Sequence, residues 1–427
     1  MKKKFTVAIL GAGSRGCMYG QTMQAMSDLY EISAVCDINP KQLEKIKQLL
    51  NLPEEKLFSD EEKFFEEKRA DVMVIATFDK EHVRQCVRAM RQGYDILLEK
   101  PISDQRDEIK LMLDVQKETG KTVTVCHELR YGPAFEKTFD LLKDGVIGDL
   151  LAIDAMERVA YWHQAQAYVR IQSAVNDIAH PTILAKCSHD LDLVQHYAGS
   201  ECETVSSVGG LSFFRKENAP KDSAECCIDC KYAENCPDSA KKIYIDGWKK
   251  AGCPDFVWPY SKVSLKKPTT EQDLYEGIKN TYFGKCVFKC GVDINKHVVD
   301  HQLVQMQFKN GVTASLKMVF AGELGRRINL FGTYGEILLD ERRKNIEVYR
   351  YGEEKQVLDF ETLFDTAKGQ DGHGGGDARL VRQMHAVLCG ECENRTSLRE
   401  SAECHLMGIS AEESRLDGGR LVRVHDE

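Results

Sequence analysis

The chain has no apolar run approaching the ~18 residues that a membrane helix needs. It shows no internal repeat, no coiled-coil heptad and no low-complexity tract. It also lacks an excess of positive charge, since 58 basic residues stand against 67 acidic ones, a net charge of −9. The first absence argues against a membrane partner. The last argues against nucleic acid, whose phosphates ask for clustered cations to displace their counterions. What is present is length: 427 residues, 42% of them apolar, enough for two to three domains at ~150 residues each. The start, with Lys2-Lys3-Lys4 before Phe5 to Leu10, has the outline of a secretory signal. Its apolar stretch stops at Gly11 and Arg15 follows, so a cytoplasmic location is expected.

Residues 5 to 10 form a short strand pattern that breaks into Gly11-Ala12-Gly13-Ser14-Arg15-Gly16 and continues as a helix. In such a turn the first glycine bends the chain, the second lets backbone approach a pyrophosphate, and the third lets helix pack on strand. The N–H groups of Ser14, Arg15 and Gly16 then open the helix towards phosphate. A second strand, Glu31 to Cys36, ends in Asp37, where a carboxylate grips both ribose hydroxyls and repels a 2'-phosphate. NAD is therefore expected as cofactor in preference to NADP. Strands at Asp71–Thr77, Tyr94–Leu98 and Thr122–Val125 alternate with helical stretches. That alternation predicts a Rossmann doubly wound parallel sheet, with Gly11, Asp37, Thr77 and Lys100 at its ligand-binding edge.

At Glu99-Lys100-Pro101 the chain resembles the Gfo/Idh/MocA oxidoreductases, the family of glucose-fructose oxidoreductase and inositol dehydrogenase. The matching pieces are the Gly11 fingerprint, Ala76-Thr77 with His82, Glu99-Lys100-Pro101, Arg130-Tyr131 with Gly148, Ser188-His189-Asp190-Leu191-Asp192, and Asn329 to Ile337. The resemblance implies a Rossmann domain at 1–125. It implies a substrate-binding and oligomerisation α/β domain at 126–427, with a large, open, mostly antiparallel sheet and dimer or tetramer contacts. Lys100 and His189 match the catalytic lysine and histidine; Thr77, His82, Glu99, Lys100 and Arg130 join the cofactor contacts. The implied reaction is hydride transfer between nicotinamide and a secondary alcohol carbon of a sugar, glycoside or cyclitol. A glycosidase or lyase that oxidises only transiently, and a non-catalytic NAD or sugar sensor, are the alternatives.

The residues support the two catalytic assignments on their own chemistry. A lysine at a strand's carboxyl end faces the cofactor crevice, and burial there lowers its pKa towards the range that acid–base work needs. Many family members carry an aspartate four residues before the histidine, and this chain has Ala185 there. Lys186 lies three before His189, on one helix face with it. Lys-Cys-Ser-His resembles a subgroup with the same departure, which makes Lys186 a third catalytic candidate. His163, Tyr168 and Arg170 form an aromatic and basic segment suited to sugar faces and hydroxyls. His373, in Gly372-His373-Gly374-Gly375-Gly376-Asp377, is the fourth substrate candidate, because three glycines in a row suggest a close backbone approach.

Of 16 cysteines, seven lie between Cys226 and Cys290, in an insertion at about 213–297 that reads as charged and short of core. Cys227, Cys230, Cys236 and Cys290 supply four thiolates, a set for structural zinc, with Cys226, Cys253 and Cys286 as substitutes. An iron–sulfur cluster uses the same ligands, and disulfides are a third reading.

Overall fold

The computed structural model describes residues 3–171, 180–292, 298–320, 322–363 and 372–425, the side chains of 372 and 373 excepted. Six strands build the first sheet: β1 (Phe5–Leu10), β2 (Tyr30–Cys36), β3 (Leu57–Phe58), β4 (Val72–Ile75), β5 (Asp95–Leu98) and β6 (Val123–Val125). Their order is β3-β2-β1-β4-β5-β6, and every pair is parallel. The order reverses between β1 and β4, which opens a crevice beyond their carboxyl ends. Val72 to Ile75 are all buried, as expected for strands covered by helices on both faces.

Nine strands build the second sheet: β7 (Leu150–Arg158), β8 (Cys202–Gly210), β9 (His301–Phe308), β10 (Thr313–Val319), β11 (Gly325–Gly332), β12 (Gly335–Asp340), β13 (Asn345–Arg350), β14 (Gln356–Asp359) and β15 (Val422–Arg423). Their order is β14-β13-β12-β11-β7-β10-β9-β8-β15. Only β7 and β10 run parallel, so the sheet is mostly antiparallel, as expected. Burial alternates along β9 and β10. One face therefore meets the helices Ser188–Ala198 and Leu398–Leu416 while the other stays open. The helix Gly376–Leu388 returns to the first domain, where Leu380, Val381 and Met384 join the core around Ile9 and Tyr19.

The insertion departs from the sequence expectation. It has an apolar core of its own, with Phe214, Tyr244, Trp248, Leu274, Ile278, Phe283 and Val287 packed together. The aromatic and aliphatic residues that build it are spread among charges at no constant period, so no periodicity betrays them.

The turn after β1 is fixed by close approach. Gly11 has φ 93°, and a Cβ there would lie 2.4 Å from Ala76 O; a Cβ on Gly16 would lie 1.8 Å from Gly11 O. The helix α1 (Ser14–Ala25) thus rests directly on the turn. Gly16→Ala gains up to ~1 kcal/mol of helix propensity and loses about 1–3 kcal/mol to the backbone clash. Urea unfolding is expected to show net destabilisation; an unchanged or raised midpoint would contradict this contact.

Candidate active site

The crevice between β1 and β4 carries the features a dinucleotide requires. Gly13 is the N-cap of α1 and no side chain caps it, and a Cβ on Gly13 would meet nothing within 4 Å. The helix N-terminus is thus free of side-chain caps, a ready anion site. Asp37, at the end of β2, accepts from Ala12 N (2.7 Å) and Asn39 N (2.7 Å), which holds its carboxylate beside the glycine turn. Thr77 follows β4, its hydroxyl donating to Gln85 Oε1 at 2.5 Å. These residues fit the chemistry of NAD: the backbone N–H groups of Ser14, Arg15 and Gly16 would be open to its pyrophosphate, and the Asp37 carboxylate would be open to its ribose.

Arg15 directs its side chain inward, away from the phosphate slot. The guanidinium is paired with Glu99, Glu128 and Asp377 and donates to Tyr19 Oη. Glu128 also accepts from Tyr19 at 2.9 Å. Burial opposes the charge on Arg15, yet Glu99, Tyr19, Glu128 and Asp377 together raise its pKa well above the ordinary value. Asp377 arrives through the glycine run, for a Cβ on Gly376 would lie 2.4 Å from Glu128 O.

Lys100 follows Glu99 at the end of β5, and its Nζ donates to Ala185 O at 2.9 Å. Burial lowers its pKa; Glu99, Glu128 and Asp79 resist that shift, and Lys186 adds to it. Lys186 pairs with the buried Glu157 of β7 at 2.8 Å. Arg326 of β11 bridges Glu157 (3.2 Å) and Asp190 (2.8 Å). His189 lies one residue before Asp190, with Nδ1 3.7 Å from Glu128 Oε2 and its ring 5.8 Å from that of His127. Glu128 thus sets a carboxylate beside His189 although the sequence has Ala185 four residues before it.

His163 sits against the same cations. Burial first, then Lys186, Lys100 and Arg326, push its pKa down to about 3, so the ring is neutral. It contacts Tyr168 (5.5 Å between rings), Trp162 (5.7 Å) and Trp258 (5.1 Å). Trp258 comes from the insertion and leaves an apolar ring beside the segment expected to meet sugar.

The structure thus gathers Lys100, Lys186, His189, His163 and Tyr168, with Glu99 behind them, and places Gly11, Gly13, Ser14, Gly16, Asp37 and Thr77 at the crevice. Three expected residues stand apart. His82 is buried and its Nδ1 lies 2.8 Å from Pro101 O, bracing the turn that carries Lys100. Arg130 forks onto Asp192 with two 2.7 Å bonds, which commits its guanidinium to the helix Ser188–Ala198. Arg170 is wholly buried in the insertion core, bonded to Lys285 O (2.9 Å) and Asp238 O (2.6 Å). The side chain of His373 lies outside the described residues. Sequence reasoning passed over Glu128, Glu157, Arg326 and Trp258; only Glu128, two residues before Arg130, stood within a quoted motif's neighbourhood.

Among the described residues no disulfide joins any of the sixteen cysteines. Cys227, Cys230 and Cys236 line one cavity in company with Cys286, while Cys290 donates its thiol to Cys286 O at 3.3 Å. Among the described residues, two groups of three possible ligands lie within 4.8 Å of one another: His127, Cys404 and His405, and Glu99, Cys126 and Glu128. In the first, both His405 nitrogens are already engaged, by Ser401 O and Ile102 N. In the second, both carboxylates hold Arg15.

Comparison with known proteins identifies both domains. Residues 5–127 match the oxidoreductase family's NAD-binding Rossmann fold, and residues 140–418 match its C-terminal α/β domain. The chain is 23% identical over 380 residues to YteT of Bacillus subtilis, covering 85% of this chain and 83% of that protein. It is 25% identical over 215 residues to the scyllo-inositol 2-dehydrogenase (NAD+) of Bacillus subtilis, covering 49% and 59%. Among solved structures, levoglucosan dehydrogenase in complex with NADH and levoglucosan is similar in fold, with TM-score 0.70, 15% identity and coverage of 99% and 100%.

Buried neutral histidines give the site a pH signature. His163 and His405 are both held down at about 3, and His127 is also held well below its ordinary value, by burial first and then by neighbouring cations or, for His405, His127. Between about pH 3 and 6.5 the unfolded chain binds protons at these rings that the folded chain refuses, so stability falls as pH falls through that window. His196, also held at about 3 by burial first, adds a fourth ring, while Asp190 and Asp238, both pushed up to about 6 by burial, work in the opposite direction as two carboxyls against four rings. Unfolding near pH 5 is expected to take up about two protons, lowering stability by about 3 kcal/mol per pH unit. Urea titrations at pH 7, 6 and 5 measure this, and stability that holds or rises on acidification would contradict it.

Proposed function

The chain belongs to the Gfo/Idh/MocA oxidoreductases, and we propose that within this NAD-binding family it is a dehydrogenase of a secondary alcohol in a sugar, glycoside or cyclitol. The observation that carries the reading is Lys100. Its ammonium is disfavoured by burial, it stands at the sheet edge that bears Gly11 and Asp37, and the neutral ring of His163 and the ring of His189 flank the same space. The relatives named for scyllo-inositol and levoglucosan support a polyhydroxylated substrate.

Bound NAD supplies the hydride acceptor; the protein supplies the rest. In its neutral form Lys100 accepts the hydroxyl proton at Nζ, as general base catalysis requires. His189, backed by Glu128, exchanges that proton with the surroundings. His163 and Tyr168 orient neighbouring hydroxyls, and Trp162 with Trp258 gives a flat surface for the ring's C–H face. An elimination route would want Lys186 as an additional base, but Lys186 is engaged by Glu157 at 2.8 Å, which favours simple oxidation.

The same reading joins copies of the chain over the open face of the second sheet. There Val208, Phe331 and Leu421 stand exposed around a shallow hollow of about 480 Å³ lined by β7, β8, β9 and β10. A cytoplasmic home, which keeps cysteines reduced, belongs to this reading as well.

Purified protein given NAD and a panel of cyclitols, anhydrosugars and glycosides is expected to form NADH without releasing aglycone. Aglycone release without net NADH would replace oxidation by elimination, and neither product despite NAD binding would make the chain a sensor. Lys100→Met is expected to lower kcat/KM by about 10³-fold with NADH affinity retained; near-normal turnover would remove Lys100 from the mechanism. Trp258→Ala is expected to raise KM about 10-fold, the scale of one lost apolar contact, with kcat little changed. An unaltered KM would take the insertion out of the substrate site.

A further inference from the structure

The insertion brings two distant cysteine-bearing segments together through main-chain bonds. Cys226 and Lys285 form an antiparallel bridge, and Cys286 N donates to Glu225 O at 2.8 Å. This sets Cys227 beside Cys286. The C-x2-C turn closes with Cys230 N donating to Cys227 O at 3.3 Å, and a further turn brings in Cys236. The four cysteines line one cavity of about 20 Å³, together with Ser223, Asp238 and Ser239.

A second observation is independent of the thiols. Asp238 Oδ1, Ser223 Oγ and Ser239 Oγ are buried at the same cavity without a hydrogen-bond partner, and Asp238 is only 3% exposed. Buried polar atoms are almost always satisfied, and a cluster of three that are not points to a missing ligand. A carboxylate and four thiols about one void call for a cation. Arg170, wholly buried, donates to Cys227 Sγ at 3.5 Å, so the protein already sets one positive charge behind the sulfurs.

We propose that Cys227, Cys230, Cys236 and Cys286 bind a structural zinc ion as four thiolates. Zinc takes such a set in tetrahedral geometry. A dication with four thiolates carries a net charge of −2, which Arg170 offsets in part. The hydroxyls of Ser223 and Ser239 serve as donors to the sulfurs, the outer-shell support that metal sites show. The sulfurs are not among the ligand triads within 4.8 Å of one another, so they close on the ion by rotation about χ1, which carries a sulfur about 3 Å between staggered wells. Cys286 takes the place that spacing alone gave to Cys290, because the bridge at Lys285 puts residue 286 at the void.

The full chain, purified without added zinc and without a metal resin, is expected to contain about one zinc per chain by plasma mass spectrometry. Exchange with Co²⁺ is expected to give the thiolate charge-transfer and visible bands of a tetrahedral sulfur site. Cys230→Ser and Cys286→Ser should lose zinc and cobalt bands at least 10-fold, and Cys290→Ser should keep both. Should Cys286→Ser fail to fold, the wild-type cobalt spectrum and the Cys290→Ser content still decide. Absence of both zinc and cobalt bands, iron in place of zinc, or loss of metal in Cys290→Ser would each overturn the assignment.

Discussion

Arg15 leaves the first helix of the nucleotide domain and ends among Glu99, Glu128 and Asp377, three carboxylates from distant parts of the chain. Glu99 follows β5, Glu128 follows β6, and Asp377 opens the helix Gly376–Leu388. Removing one member of so buried a pair leaves an uncompensated charge, at a cost of about 3–5 kcal/mol. The clamp therefore fixes the segment carrying Lys100 against the segment carrying His127 and Glu128. On the far side, Lys186, Glu157, Arg326 and Asp190 form a second buried set that ties the helix Ser188–Ala198 to β7 and β11. Lys100 lies between the two networks. Burial there disfavours its ammonium even with carboxylates nearby.

The insertion is part of this arrangement. Its Trp258 closes on Trp162 and His163, with ring centroids 4.9 and 5.1 Å apart. Burial lowers the pKa of its Lys262, and Lys45 of the first domain lowers it further. One segment therefore touches both the substrate side and the nucleotide domain. A separate apolar core gives it the stiffness to do so.

The parallel sheet, the glycine turn, Asp37 and Lys100 were legible because each rests on short-range pattern: strand, turn and strand end within a few residues. The open second sheet came from the resemblance. What was not legible is pairing between residues far apart. Arg130 looked like a cofactor contact, yet its fork meets Asp192 from a later helix. Arg170 looked like a sugar donor because it follows aromatic residues, but its segment is wound so that Tyr168 faces the site and Arg170 faces the insertion core. Glu157 and Arg326 sit on strands whose neighbours alternate ordinarily, and nothing local marks them as charges to be buried. In the proposed zinc site Cys286 stands in for Cys290 because of a main-chain bridge at Lys285 that no spacing rule contains.

The central claim is that this chain moves hydride from a ring carbon to nicotinamide while Lys100 handles the proton. Its most direct test follows the hydrogen itself. scyllo-Inositol and levoglucosan, deuterated at their ring carbons, are incubated with NAD and the protein, and the nicotinamide product is weighed by mass spectrometry. The account predicts that each reduced cofactor formed carries one deuterium from the substrate carbon. Deuterium appearing in solvent, with unlabelled NADH or none, would contradict it.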